Sequence, residues 1–178
     1  MGRSRATASR RDRTLPKVQQ HKKLYFEHTE NMRNSGLLCT DAERAERIRD
    51  VLEALYEVNK RIPIVVEGKR DVQALRRIGM VGDIITIHAG KGLYDLCEDI
   101  AERFHRVILL LDWDEKGEDL FRTISGNLKG LWEEFAPFRD LIRILCQKEI
   151  KDIEGMPGLL ERLAGTEVTV RQPEDPPS

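Results

Sequence analysis

Residues 61–71 read Arg-Ile-Pro-Ile-Val-Val-Glu-Gly-Lys-Arg-Asp, and residues 107–114 read Val-Ile-Leu-Leu-Leu-Asp-Trp-Asp. Each is a short apolar run that ends in acid. The run Ile62–Val66 is β-branched and uninterrupted, the pattern of a strand buried on both faces. Pro63 fits only near its beginning, because proline cannot donate to a sheet ladder. Val107–Leu111 predicts a second strand of the same kind. Between them, Val72, Leu75 and Ile78 face one way, which predicts a helix, and Gly79 stands where a C-terminal cap belongs. Ile84, Ile85 and Ile87 mark a further strand over Asp83–His88. Leu93, Leu96, Cys97, Ile100, Ala101 and Phe104 follow at helical spacing.

The alternation continues downstream. Leu120, Ile124, Leu128 and Leu131 share one helical face, weakened at Gly126 and Gly130. Leu141-Ile-Arg-Ile-Leu145 predicts a fourth strand, and Pro157 suits the first turn of a short helix through Leu163, closed by Gly165. A βαβαβαβ order implies an α/β fold: a four-stranded parallel sheet with helices on both faces and right-handed crossovers. Upstream, Thr40 and Glu43 form a capping box, and Ala45, Ile48, Leu52 and Leu55 draw one stripe, predicting a helix from near Asp41 to Asn59. The division expected is a basic arm over 1–38, an N-terminal helix packed on the core over 39–60, a sheet domain over 61–165 and a loose tail over 166–178. The arm is densest over residues 1–23, with Arg3, Arg5, Arg10, Arg11, Arg13, Lys17, Lys22 and Lys23 against Asp12. It is expected to be disordered when free, either a solvated tail or a phosphate-attracting segment.

Composition narrows the classes. The chain has 178 residues, 40% hydrophobic and 34% charged, enough apolar material for one core. Its formal net charge is -1, so any nucleic-acid contact has to come from local patches rather than bulk charge. No apolar run approaches the ~20 residues that span a bilayer, and no secretory h-region opens the chain. The three cysteines, Cys39, Cys97 and Cys146, form no CxxC pair. That argues against a disulfide framework or zinc knuckle and for a reducing, cytoplasmic setting without a membrane partner. At 6% aromatic, a base-stacking platform is not expected.

In an open parallel sheet, ligands bind beyond the carboxyl ends of the strands. The strand tips deliver Glu67-Gly-Lys-Arg-Asp71, His88-Ala-Gly-Lys-Gly92, Asp112-Trp-Asp114 and Lys148-Glu-Ile-Lys-Asp152-Ile-Glu154. Carboxylates gathered on one rim repel one another unless a cation neutralises them. An all-carboxylate set favours Mg²⁺, with Mn²⁺ as substitute, over zinc. Asp112 and Asp114, two apart, project the same way from extended backbone and can share one ion or hold two. Gly68 leaves room beside Glu67. Asp71, in a first helical turn, either favours the dipole or joins the site. Lys69 and Lys91 are surface charges or phosphate clamps. Gly90, before a helix start, suits an anion or a plain turn. Trp113 is expected to point away from its flanking aspartates, into packing.

Glu67-Gly-Lys-x-Asp71, the glycine turn after the second strand and Asp112-x-Asp114 together resemble the Toprim domain, over roughly Arg61 to Glu154. The chain looks most like the small stand-alone Toprim proteins of archaea. The resemblance implies a Toprim, Rossmann-like fold. It implies Mg²⁺ coordination by Asp112 and Asp114, and a role for Glu67 as metal ligand or general acid/base. Primase-type members have a further acid matched by Asp71, and Lys151-Asp152-x-Glu154 is a looser match to their later acidic motif. The chain departs from primases and topoisomerases in having no zinc-binding domain, polymerase-type extension or active-site tyrosine region. The function expected is Mg²⁺-dependent phosphoryl transfer, nuclease-like or strand-processing, on DNA or RNA. Two rivals are a non-catalytic nucleic-acid-binding or scaffold module and a haloacid-dehalogenase-like phosphatase. In the phosphatase the Asp-x-Asp pair belongs on the opening strand, followed by Thr or Val, whereas here it closes the third strand and continues Glu115-Lys-Gly.

Overall fold

The structure, a computed structural model, describes residues 40–87, 90 and 92–164. The basic arm over 1–38, the tail over 166–178, Lys91, His88 and Gly165 lie outside the described residues. Helix α1 (Asp41–Asn59) opens on the expected box: the Glu43 amide donates to Thr40 Oγ1 at 3.2 Å, and the Thr40 amide donates to Glu43 Oε2 at 2.8 Å. Such a box satisfies amides that have no partner within the helix. The expected stripe Ala45, Ile48, Leu52 and Leu55 is buried, joined by Val51, Ala54 and Tyr56. Asn59 closes the helix and is itself buried. Its Nδ2 donates to the carbonyls of Ile62 and Asp83, and its Oδ1 accepts from the Gly82 amide. One amide side chain thus ties the end of α1 to the entries of two strands.

Three strands follow, β1 (Ile64–Val66), β2 (Ile84–Thr86) and β3 (Ile108–Leu109), in the order β2-β1-β3 and all parallel. The register pairs Ile64 with Ile84 and with Ile108. The connections are α2 (Lys69–Arg77) and α3 (Leu93–Arg103), and α4 (Glu115–Asn127) follows β3. Gly79, at φ 105°, ends α2 in the left-handed region that its lack of Cβ permits. Side chains alternate across the sheet. Val65, Leu109 and Leu111 pack with Leu96, Cys97 and Ile100 of α3 and with Ile124 of α4. Ile64, Val66 and Ile108, pointing the other way, are equally buried.

The expected fourth strand is a correction. Leu141–Leu145 lies within helix α5 (Ala136–Cys146), so the sheet has three strands among the described residues. Pro137 sits in the helix's first turn, and Leu141, Ile142, Leu145 and Cys146 are buried while Ile144 is exposed. Burial at i, i+1, i+4 and i+5 is a helical period. A five-residue apolar run carries too little periodicity to separate strand from helix. Helix α5 packs against β3 and α1, and α6 (Met156–Ala164) packs against α1 and α2. Pro157 occupies the first turn of α6, as expected. The coarse architecture read from the sequence holds: an α/β arrangement of a small parallel sheet and helices.

Candidate functional site

Each strand tip places its acids through a local device. Beyond β1, Glu67 is 8% exposed and Asp71 is 5% exposed. Gly68 is the N-cap of α2, and its amide donates to Asp71 Oδ2 at 2.9 Å. Asp71 is therefore a helix-capping group and a member of the rim at once. Burial raises its pKa first, the Gly68 amide pulls it back, and Glu154 and Asp152 raise it further. Glu67 is also raised, first by burial and then by Asp114 and Asp71, against the lowering pull of Lys116. Lys116 Nζ stands 3.6 Å from Glu67 Oε2. The other oxygen, Oε1, is buried without a hydrogen-bond partner among the described residues.

Beyond β3, Asp112 Oδ1 accepts from the Ile153 amide at 2.9 Å. Asp114 caps α4, accepting from the Gly117 amide at 2.7 Å. Trp113 between them is buried: its amide donates to the Lys151 carbonyl and its indole Nε1 to the Ile150 carbonyl, both at 2.9 Å. The loop before α6 is thus stitched to the end of β3, carrying Asp152, whose Oδ1 accepts from the Gly155 amide at 2.7 Å. Asp112 is pushed up to about 7, first by burial and then by Asp71, Glu67 and Asp152, with the Ile153 amide opposing.

The acids from the first and third tips and from the last loop therefore share one field. Charge interactions couple Asp112 to Asp71, Glu67 and Asp152, and Glu67 to Asp114. As they stand, no three His, Cys, Asp or Glu side chains among the described residues form a set able to hold a metal ion. Lys69 is exposed in the first turn of α2, and Gly90 is exposed at φ 82°. Lys91 lies outside the described residues.

Two residues of this region had no reading in the sequence. Lys116 is one. Arg139 of α5 is the other: 3% exposed, it donates from Nε to the Leu111 carbonyl at 2.8 Å and from an Nη to the Asp112 carbonyl at 2.6 Å. Its charge meets Glu118 at 3.1 Å, its guanidinium lies 4.2 Å from the Phe121 ring centroid, and Arg143 shares Glu118 at 2.9 Å. Arginine suits this place because its planar fork serves several acceptors at once. An arginine two residues before an apolar run gives no sequence signal for such a role.

Two predictions arise directly. A Cβ on Gly117 would lie 2.4 Å from the Asp112 carbonyl oxygen, and one on Gly126 would meet nothing within 4 Å. Gly117→Ala should cost about 1–3 kcal/mol by forcing the start of α4 away from β3, whereas Gly126→Ala should be neutral or stabilising by up to ~1 kcal/mol. Urea unfolding of the two variants decides it. The second concerns pH. A carboxyl whose folded pKa lies above its unfolded one binds protons more tightly when folded, so stability falls as pH rises between the two values. For Asp112 that window runs from the ordinary 3.8 to about 7. Raised Glu67 and Asp71 act in the same direction. In EDTA the melting temperature should drop across this window, and Asp112→Asn should flatten the drop.

Comparison with known proteins assigns the chain to a group. No family model matches it, and no solved structure matches it. It is 38% identical over 117 residues to the UPF0292 protein of Methanosarcina barkeri, covering 64% of this chain and 80% of that one. The chain belongs to the UPF0292 family. The UPF0292 protein of Thermococcus gammatolerans is 33% identical over 135 residues, 75% of this chain and 95% of its own. That of Thermoplasma volcanium is 31% identical over 113 residues, 62% and 92%. The UPF0292 relatives are archaeal, in keeping with the origin expected from the sequence. No described helix of this UPF0292 protein is long and apolar enough to cross a membrane.

Proposed function

We propose that this UPF0292 chain is a divalent-cation-dependent phosphoryl-transfer domain of the Toprim kind, acting on DNA or RNA. The observation that carries the reading is the pair of under-compensated acids at the first and third strand tips. Glu67 Oε1 is buried without a partner among the described residues, and Asp112 is pushed up to about 7 among other carboxylates. Burying anionic groups costs several kcal/mol each unless they are paired. A hard cation offsets that cost, and an oxygen-only donor set fits Mg²⁺ or Mn²⁺.

Glu67, Asp112 and Asp114 would hold the ion, with Asp71 and Asp152 as further acidic groups. When bound, the ion supplies charge neutralisation to a phosphodiester oxygen. The chain's own residues do the rest. Asp114 keeps one oxygen on the Gly117 amide, which fixes the direction of its carboxylate. The Ile153 amide fixes Asp112 in the same way. In the alternative role, with the ion on Asp112 and Asp114, Glu67 would carry a proton to or from a departing oxygen, a task its burial-raised pKa suits. Lys69, exposed on the first turn of α2, would offer its charge to a nucleic-acid phosphate, as would Arg70 beside it once released from Glu154.

The test is incubation of the full chain with labelled single- and double-stranded DNA and RNA, with Mg²⁺, with Mn²⁺ and with EDTA. Turnover that requires the cation supports the reading. Salt-sensitive binding without turnover in any arm would replace it with the binding module.

A further inference from the structure

A lysine in the first turn of a helix stands against the helix dipole, which favours anions there. Lys116 occupies that place in α4, two residues after the Asp114 cap. A residue that breaks a local preference marks a position where something else is being served. Here the partner is Glu67, reached across the sheet edge from β3 to β1, with Nζ 3.6 Å from Oε2. The pairing is lopsided: the lysine side chain is 67% exposed and the glutamate side chain 10%. The ammonium meets Oε2 and leaves buried Oε1 without a partner among the described residues. A solvent-facing cation held by one contact is a weak occupant and easily released.

We propose that Lys116 is the resident counter-cation of the acidic rim, paired with Glu67 in the cation-free protein and displaced when a divalent metal ion takes that carboxylate. The inference rests on the metal-dependent reading above and adds a regulator to it. Exchange of a single positive charge for a double one at Glu67 makes metal affinity a competition in which Lys116 is the rival ligand. The lysine offsets part of the rim's negative charge in the cation-free protein and raises the cation concentration at which the site fills. Lys116 is thus a positioning residue, acting through Glu67.

The test uses Mn²⁺ alone, titrated into the full chain, with free Mn²⁺ read from its electron paramagnetic resonance signal and no substrate present. Lys116→Met and Lys116→Gln should each bind Mn²⁺ about fivefold more tightly, the gain expected when an ion pair of this exposed kind no longer competes. Lys129→Met, which removes the same charge just past the far end of α4, should stay within about twofold of the unaltered protein. Asp112→Asn serves as the reference for binding at this rim and should abolish it. If Lys116→Met binds Mn²⁺ equally or more weakly, the proposal fails while the metal site stands. If Lys129→Met tightens binding as much as Lys116→Met, overall charge explains the effect and the proposal fails. If the unaltered protein and Lys116→Met bind no Mn²⁺, both the proposal and the reading beneath it fail.

Discussion

On the proposed function, Glu67→Gln and Asp112→Asn should each lower Mg²⁺-dependent turnover of nucleic acid by about a thousandfold or more, the scale of losing a metal ligand or a general acid/base. Neither variant should unfold the protein. Both side chains keep their shape, and both lose a charge that the cation-free fold accommodates poorly. Asp112 already shares its surroundings with Asp71, Glu67 and Asp152, so a neutral amide there relieves repulsion. It retains an oxygen for the Ile153 amide. Asp112→Asn is therefore expected to melt at a higher temperature than the unaltered chain in EDTA near neutral pH, while losing the proposed activity. Opposite movements of stability and activity are the mark of a group kept for function at a cost to the fold. Turnover assays and melting curves on the same preparations measure both. Full activity in the two variants would remove Glu67 and Asp112 from the mechanism.

Arg139→Ala should destabilise the chain by about 2–4 kcal/mol, the loss expected when hydrogen bonds from a buried charged donor go and a void opens beside an aromatic ring. Against a total stability of ~5–15 kcal/mol for a domain, that is a large fraction. The variant strips hydrogen bonds from the carbonyls of Leu111 and Asp112 and a charge partner from Glu118. It also opens a void over the Phe121 ring. Arg139→Lys keeps the charge and loses the fork, so it should recover only part of the loss. Urea unfolding separates the three proteins. A cost below about 1 kcal/mol for the alanine variant, the worth of a single ordinary hydrogen bond, would mean that Arg139 does not hold the end of β3.

How far the sequence could be read depended on how local the signal was. The Thr40–Glu43 box and the stripe through Leu55 are written in consecutive turns, and the helix appears where they put it. The runs through Ile64–Val66, Ile84–Thr86 and Ile108–Leu109 were legible because apolar, β-branched stretches between helices have little alternative. Leu141–Leu145 had an alternative, and tertiary context chose it: Pro137 starts a helix whose buried side meets β3 and α1. At the rim, Glu67, Asp112 and Asp114 could be nominated from strand-end position and Asp71 from the first turn after β1, whereas Asp152 was nominated behind a fourth strand that is a helix; charge interactions nonetheless link them. Lys116 and Arg139 could not. Each acts on a partner from another element, Glu67 for the one and the carbonyls beyond β3 for the other, and no spacing rule encodes such an encounter.

The chain contains two tryptophans, Trp113 and Trp132. Trp113 is enclosed between two of the nominated acids, its indole tethered to the Ile150 carbonyl. Trp132 lies elsewhere, edge-on to Phe121. The protein therefore carries its own optical gauge: in a Trp132→Phe background, the emission of a single indole reports every rearrangement of the segment that bears Asp112 and Asp114, without label or substrate.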